Sequence, residues 1–159
     1  MNQKNIKYTR ILLNYSISFM LLFCFGACSS RIGYKKQILT YLSEEYEINV
    51  KDYDNLIVIF LKNGSCGVCE EKTIQLIEEL NANTDFKILI HYRQNDFTVE
   101  RLRKMPVEVI ISKGNIMDSY GIILINDLLI HYKSGRIKYF GWLFQEELDE
   151  TYKHFFSKK

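Results

Sequence analysis

The chain has 159 residues, of which 47% are apolar, 14% aromatic and 25% charged, with a single proline. Those proportions suit one compact core and exclude a collagen-like, low-complexity or disordered polypeptide. The formal charge of +2 includes Lys4, Lys7 and Arg10, all ahead of Cys28; without these three cations the remainder carries −1, which gives no electrostatic reason to expect a nucleic-acid partner.

Residues 1–27 have the layout of a secretory signal: the basic start, the mostly apolar run Ile11 to Phe25, then small residues. A retained transmembrane anchor is the alternative, since Ile11 to Ala27 spans 17 residues, at the short edge of what crosses a bilayer. The ending Phe25-Gly26-Ala27-Cys28-Ser29-Ser30 resembles a bacterial lipobox, in which small residues precede a cysteine that is acylated and becomes the new N-terminus. On that reading Cys28 is the lipidation site, residues 28–33 are a lipid-anchored tether, and residues 34–159 form one domain outside the cytoplasm. Cys24 lies in the discarded run and Cys28 carries lipid, so the mature domain owns Cys66 and Cys69 alone.

From Tyr34 to Tyr46, Ile38, Leu39, Leu42 and Tyr46 recur at helical intervals. Asn55 to Leu61 is short, continuously apolar and rich in β-branched residues, as in a central strand covered on both faces. Cys66 to Leu80 alternates apolar positions (Cys69, Ile74, Leu76, Ile77, Leu80) with charged ones, which predicts a helix with one buried side. A turn at Asn81 to Asp85 leads to a strand at Phe86 to Tyr92 and a short helix at Phe97 to Lys104, ended near Pro106. Val107 to Ser112 is strand-like and runs into a Lys113-Gly114-Asn115 turn. The last third holds an apolar strand-like run at Ile122 to Ile125, an Asn126-Asp127 break, and strands Leu128 to Tyr132 and Ile137 to Phe140 joined through Ser134-Gly135 as a hairpin. A helix at Trp142 to Phe156 closes the chain, with Leu143, Phe144, Leu148, Tyr152, Phe155 and Phe156 toward the sheet. Strands alternating with helices, then a hairpin and a helix, imply an α/β fold with a central mixed sheet flanked by helices.

The pair Cys66-Gly67-Val68-Cys69 sits where the central strand gives way to a helix. A cysteine at a helix head faces unpaired backbone N–H groups and the positive end of the dipole, which favours its thiolate and makes Cys66 the attacking group. Cys69, three residues on, lies under the same face and resolves the mixed disulfide. Strand, glycine-containing loop, this motif and helix together resemble the active-site unit of the thioredoxin-like superfamily, over Asn55 to Leu80. The hairpin Leu128 to Phe140 and the last helix are similar to that family's closing elements. With the lipobox, the resemblance implies a three-layer thioredoxin-like sandwich working as a membrane-tethered thiol-disulfide oxidoreductase that faces the periplasm from the cell envelope. It implies a protein disulfide or dithiol partner, a membrane thiol donor and no organic cofactor.

Several positions depart from the family pattern. Ser65 and Val68 stand where an aromatic residue and a proline are usual, and Phe60 stands about where some members bury an acid that helps to move protons. The family places a cis-proline beside the active site just before the hairpin; here Asn126-Asp127 occupies that neighbourhood, and Pro106 falls too early. Glu70 and Glu71 suit the first helical turn but oppose a thiolate at Cys66, with Lys62 and Lys72 as partial offsets, which points to a reductant rather than a strong oxidant.

Two other readings stand beside this one. The cysteines form a structural disulfide in a thioredoxin-like adaptor, or they are half of a zinc site. Zinc needs four ligands, whereas the domain offers two cysteines and the scattered His91, His131 and His154, of which the first two fit partly buried strand positions; no metal is assigned. Arg101, Arg103 and Lys104 read as a solvated helix end.

Overall fold

The computed structural model describes residues 35–62, 67–82, 85–92, 97–112 and 116–157, with the backbone alone at 67–69, 97, 145 and 146. Helix α1 (residues 35–46) precedes a 3-10 turn at Val50–Asp52. There follow β1 (Asn55–Leu61), α2 (Gly67–Asn81), β2 (Lys87–Tyr92), α3 (Phe97–Leu102), β3 (Glu108–Ile111), α4 (Ile116–Ser119), β4 (Leu128–Lys133), β5 (Arg136–Trp142) and α5 (Gln145–Phe156).

The sheet has the order β3-β2-β1-β4-β5. β1 pairs in parallel with β2, and β2 with β3, while β4 runs antiparallel to both β1 and β5. β1 thus lies in the middle, and the buried run Leu56 to Leu61 reflects cover on both sides. Even positions of β1 (Leu56, Val58, Phe60) face a core built with Ile38, Tyr41 and Leu42 of α1, Met117 of α4, and Ile122 and Leu124. Odd positions (Ile57, Ile59, Leu61) face Leu76, Ile77 and Leu80 of α2, Val99 and Leu102 of α3, and Leu148 of α5. Strand periodicity of two divides one apolar run between two cores and makes three layers. A parallel βαβ unit entering the centre of the sheet, an antiparallel hairpin and a closing helix form the thioredoxin-like α/β sandwich implied by the sequence.

The hairpin turn has Ser134 at φ 49° and Gly135 at φ 72°. Left-handed φ at both central residues matches the twist of two joined strands, which is why a glycine stands there. A Cβ on Gly135 would meet Lys51 Cγ at 2.8 Å. A bulge in β5 opposite His131 and Tyr132 adds one residue, Lys138, to the ladder.

Three expectations are corrected. The closing helix begins at Gln145, not Trp142: Trp142 pairs with Leu128, and the Leu143 amide donates to the Asp127 carbonyl at 2.7 Å, so the backbone is still stitched to β4 there. Glu147 accepts from the Trp142 amide at 2.9 Å, tying the first turn of α5 back to the strand end. Of its predicted inward residues, Leu143 and Leu148 are buried, Phe144, Tyr152 and Phe155 half-buried, and Phe156 is exposed. Ile122 to Ile125 forms no strand; it alternates buried and exposed residues like one, but both edges of β1 are already taken by β2 and β4. The short α4 was not legible in the sequence, since one turn is too short to display a period. Other elements match within a residue or two, while the Lys113-Gly114-Asn115 turn lies outside the described residues.

Candidate functional site

β1 and β2 end at Leu61 and Tyr92, and the crossover helix α2 starts just beyond β1. The carboxyl ends of parallel strands, where the chain turns outward, are where open α/β sheets leave a crevice. Cys69 is the third residue of α2, in its first turn; Cys66 and Cys28 lie outside the described residues. Thr73, one turn further along α2 from Cys69, is 2% exposed and shares its helical stripe.

The segment before β4 closes this end of the sheet. Leu128 pairs with Phe60, so Asp127 lies beside Leu61, and strand alternation puts its side chain with Leu129 on the α2 face. Asp127 is 4% exposed. Its Oδ1 accepts from the Lys62 amide at 2.7 Å, and its Oδ2 accepts from the Thr73 hydroxyl at 3.3 Å. Burial pushes its carboxyl group up to about 6, against the pull of the Lys62 amide and Thr73; the nearby Glu70 carboxylate adds to the rise. Lys62 also donates through Nζ to the Ile125 carbonyl at 2.9 Å, fastening the segment from its other side. Ile123 and Ile125, on alternate residues of this segment, are 69% and 61% exposed.

α3 packs against the flank of α2. The Thr98 hydroxyl donates to Glu70, and the Arg101 guanidinium bridges Glu71 and Glu78 at 2.8 and 3.0 Å. Glu70 in the first turn and Glu71 just after it are therefore both engaged by side chains of α3. Arg103 and Lys104 are exposed just past the end of α3, with Arg103 paired to Glu100 at 3.4 Å, whereas Arg101, expected in the same solvated helix end, is tied to α2 instead.

Phe60 lies on the opposite face. It is fully buried, with its ring centroid 5.1 Å from that of His91. Tyr41 bonds His91 Nε2 at 2.7 Å and the Tyr46 hydroxyl at 3.0 Å, and Tyr120 donates to Glu45 at 2.7 Å. Burial raises the Tyr41 hydroxyl, which keeps that hydroxyl protonated. His131 is likewise a buried sheet histidine. Its Nε2–H donates to Asn55 Oδ1 at 2.7 Å, and its Nδ1 accepts from His154 Nε2 at 3.0 Å. His91, His131 and His154 thus belong to two hydrogen-bonded packing clusters on opposite faces of the sheet. Among the described residues no three metal-ligating side chains come together, and no helix is long and apolar enough to cross a membrane.

The sequence reading did not single out Asp127 as a buried carboxyl group at this end of the sheet. An Asn-Asp pair between apolar runs reads as a turn, and only the pairing of Leu128 with Phe60 turns its carboxyl group inward. A signal was available in its position next to a strand expected at the middle of the sheet. No cis peptide bond occurs among the described residues, and Asn126-Asp127 stands at the head of β4 as expected.

No family model matches the chain, and no curated protein sequence matches it. Among solved structures it is similar to the thioredoxin domain of a thiol-disulfide oxidoreductase from Bacteroides vulgatus, at 20% identity and a TM-score of 0.47, over 68% of this chain and 83% of that one. It is also similar to a thiol:disulfide interchange protein from a Bacteroides species, at 19% identity and a TM-score of 0.47, over 68% and 76%. StoA from Bacillus subtilis matches at 21% identity and a TM-score of 0.39, over 56% and 73%.

Proposed function

We infer that the chain is a thiol-disulfide oxidoreductase whose working pair is Cys66 and Cys69. The observation that carries the reading is positional: Cys69 falls in the first turn of a crossover helix that leaves the central strand of a thioredoxin-like sheet. At that place the helix dipole favours a thiolate, and the end of the sheet leaves room for a partner. The Cys66 thiolate attacks a protein disulfide, forming a mixed disulfide and releasing one partner thiolate. Cys69 then attacks the Cys66 sulfur, releasing the second partner thiol, so that two electrons pass to the partner and a Cys66–Cys69 disulfide remains. The acids Glu70 and Glu71 near the start of α2 disfavour the thiolate and support a reducing role. Anchoring through lipid on Cys28 puts residues 34–159 in the cell envelope, where a membrane thiol donor re-reduces the pair. The solved structures whose names describe thiol-disulfide exchange agree with this chemistry.

A Cys69→Ser variant is expected to accumulate mixed disulfides with partner proteins, visible on non-reducing gels, and the unsubstituted protein to equilibrate reversibly with glutathione and to reduce insulin. Reversible two-electron behaviour without insulin turnover or trapped partners would instead identify a non-catalytic adaptor with a structural disulfide, a reading favoured by the absence of a proline at Asn126-Asp127.

A further inference from the structure

Resolution of a mixed disulfide needs the second thiol to lose a proton, because the thiolate is the nucleophile and a buried thiol is a poor one. Phe60 offers no help, being fully buried on the face away from α2. Asp127 reaches the α2 face from the neighbouring antiparallel strand and is hydrogen-bonded to Thr73, one turn from Cys69 on the same stripe. Among the described residues its two oxygens are unequally engaged: Oδ1 holds the Lys62 amide at 2.7 Å, whereas Oδ2 has the long 3.3 Å contact with Thr73. Oδ2 is therefore the less firmly held oxygen and the one assigned to take a proton. The charged groups facing the carboxyl are Glu70 from α2 and Lys62 from the end of β1; from the β5 side, the Leu143 amide reaches its backbone carbonyl.

We propose that Asp127 takes up and returns the proton of Cys69 during thiol-disulfide exchange, an inference that rests on the oxidoreductase reading above. In the reducing direction the carboxylate accepts the Cys69 thiol proton and the resulting thiolate attacks the Cys66 sulfur. The Cys66–partner S–S bond breaks, and the partner leaves as a thiolate that is protonated from the carboxyl group through water. When the pair is reduced again, Asp127 takes a proton from water and delivers it to the Cys69 thiolate as that sulfur is released. A carboxyl group held near 6 by burial is matched to this exchange close to neutral pH. Residence on the loop before β4 also places this proton handler beside the exposed Ile123 and Ile125.

The test uses the full chain in detergent, with glutathione disulfide as the oxidant, and follows resolution of the Cys66–glutathione mixed disulfide by rapid quench and mass spectrometry across pH. The unsubstituted protein is expected to show an inflection near 6. Asp127→Asn keeps an acceptor for the Lys62 amide but is expected to resolve about a hundredfold more slowly and without the inflection, and Asp127→Glu to recover a pH-dependent rate. Equal rates and equal inflections in the unsubstituted and Asp127→Asn proteins overturn this inference alone. Failure of the unsubstituted protein to resolve the mixed disulfide at any pH overturns the oxidoreductase reading and this role with it. A measurement needing no variant is the carbon-13 titration of the Asp127 carboxyl: its midpoint is expected to differ between the dithiol and disulfide states, and one midpoint for both refutes the coupling.

Discussion

Replacement of Asp127 by asparagine is expected to stabilise the fold at neutral pH and to leave its stability nearly unchanged at about pH 4. The carboxyl group moves from an ordinary value of 3.8 to about 6 on folding, so the folded state holds the proton more tightly than the unfolded chain. The stability contributed by the protonated acid is complete below 3.8 and is lost as pH rises through about 6. Two units correspond to about 3 kcal/mol at neutral pH. Asparagine escapes that loss: its Oδ1 accepts from the Lys62 amide, and its NH₂ donates to Thr73 Oγ1 in place of the hydroxyl bond. Urea unfolding followed by Trp142, the only tryptophan, gives the difference between the two proteins at each pH. Taking the difference removes every other titrating group, including His131. A gap that is the same at about pH 4 and about pH 7.5 would refute the argument that burial of this carboxylate opposes folding. A buried acid that weakens its own fold at working pH fits the proton-handling role proposed for Asp127.

Other perturbations test the remaining elements. Burial, with the neighbouring His154 and lysines, depresses His131 to about 4 from 6.5, so the neutral ring contributes stability above 6.5 that is lost as pH falls toward 4; amide exchange in α5, which carries His154, is expected to accelerate over that interval and to stay flat if the pair is not coupled. Phe60→Ala is expected to cost about 3–5 kcal/mol in urea unfolding, because its ring is enclosed by the core on the α1 face and leaves a cavity; a cost under about 1 kcal/mol would show that this core collapses around the gap. In the hairpin, Gly135→Ala is expected to destabilise by about 1–2 kcal/mol through its left-handed φ and the Lys51 contact, and Ser134→Asn to stabilise by a few tenths, both read from thermal midpoints.

Local information carried much of the fold. Asn55 to Leu61 reads as a central strand because every position after Asn55 is apolar, and the structure covers Leu56 to Leu61 with cores on both sides. The stripe from Ile74 to Leu80 and the Ser134-Gly135 turn were legible for the same reason, since periodicity and left-handed φ are properties of a few adjacent residues. Where a chain segment serves two partners the local pattern misleads. Trp142-Leu143-Phe144 looks like the start of an amphipathic helix, yet ladder and backbone bonds to β4 hold 142 and 143 out of it. Ile122 to Ile125 has the alternation of a strand, but both edges of β1 are taken by β2 and β4.

The cysteine motif at the head of α2 was determined by the sequence alone, because a spacing of three and a preceding apolar run are one-dimensional facts. The carboxyl group proposed to serve it was decided only by tertiary structure. Asp127 is 58 residues from Cys69 in the chain, and its inward direction follows from the antiparallel register of β4 on β1. Which face a side chain takes at a strand end is set by its pairing partner, and that partner lies far away in sequence.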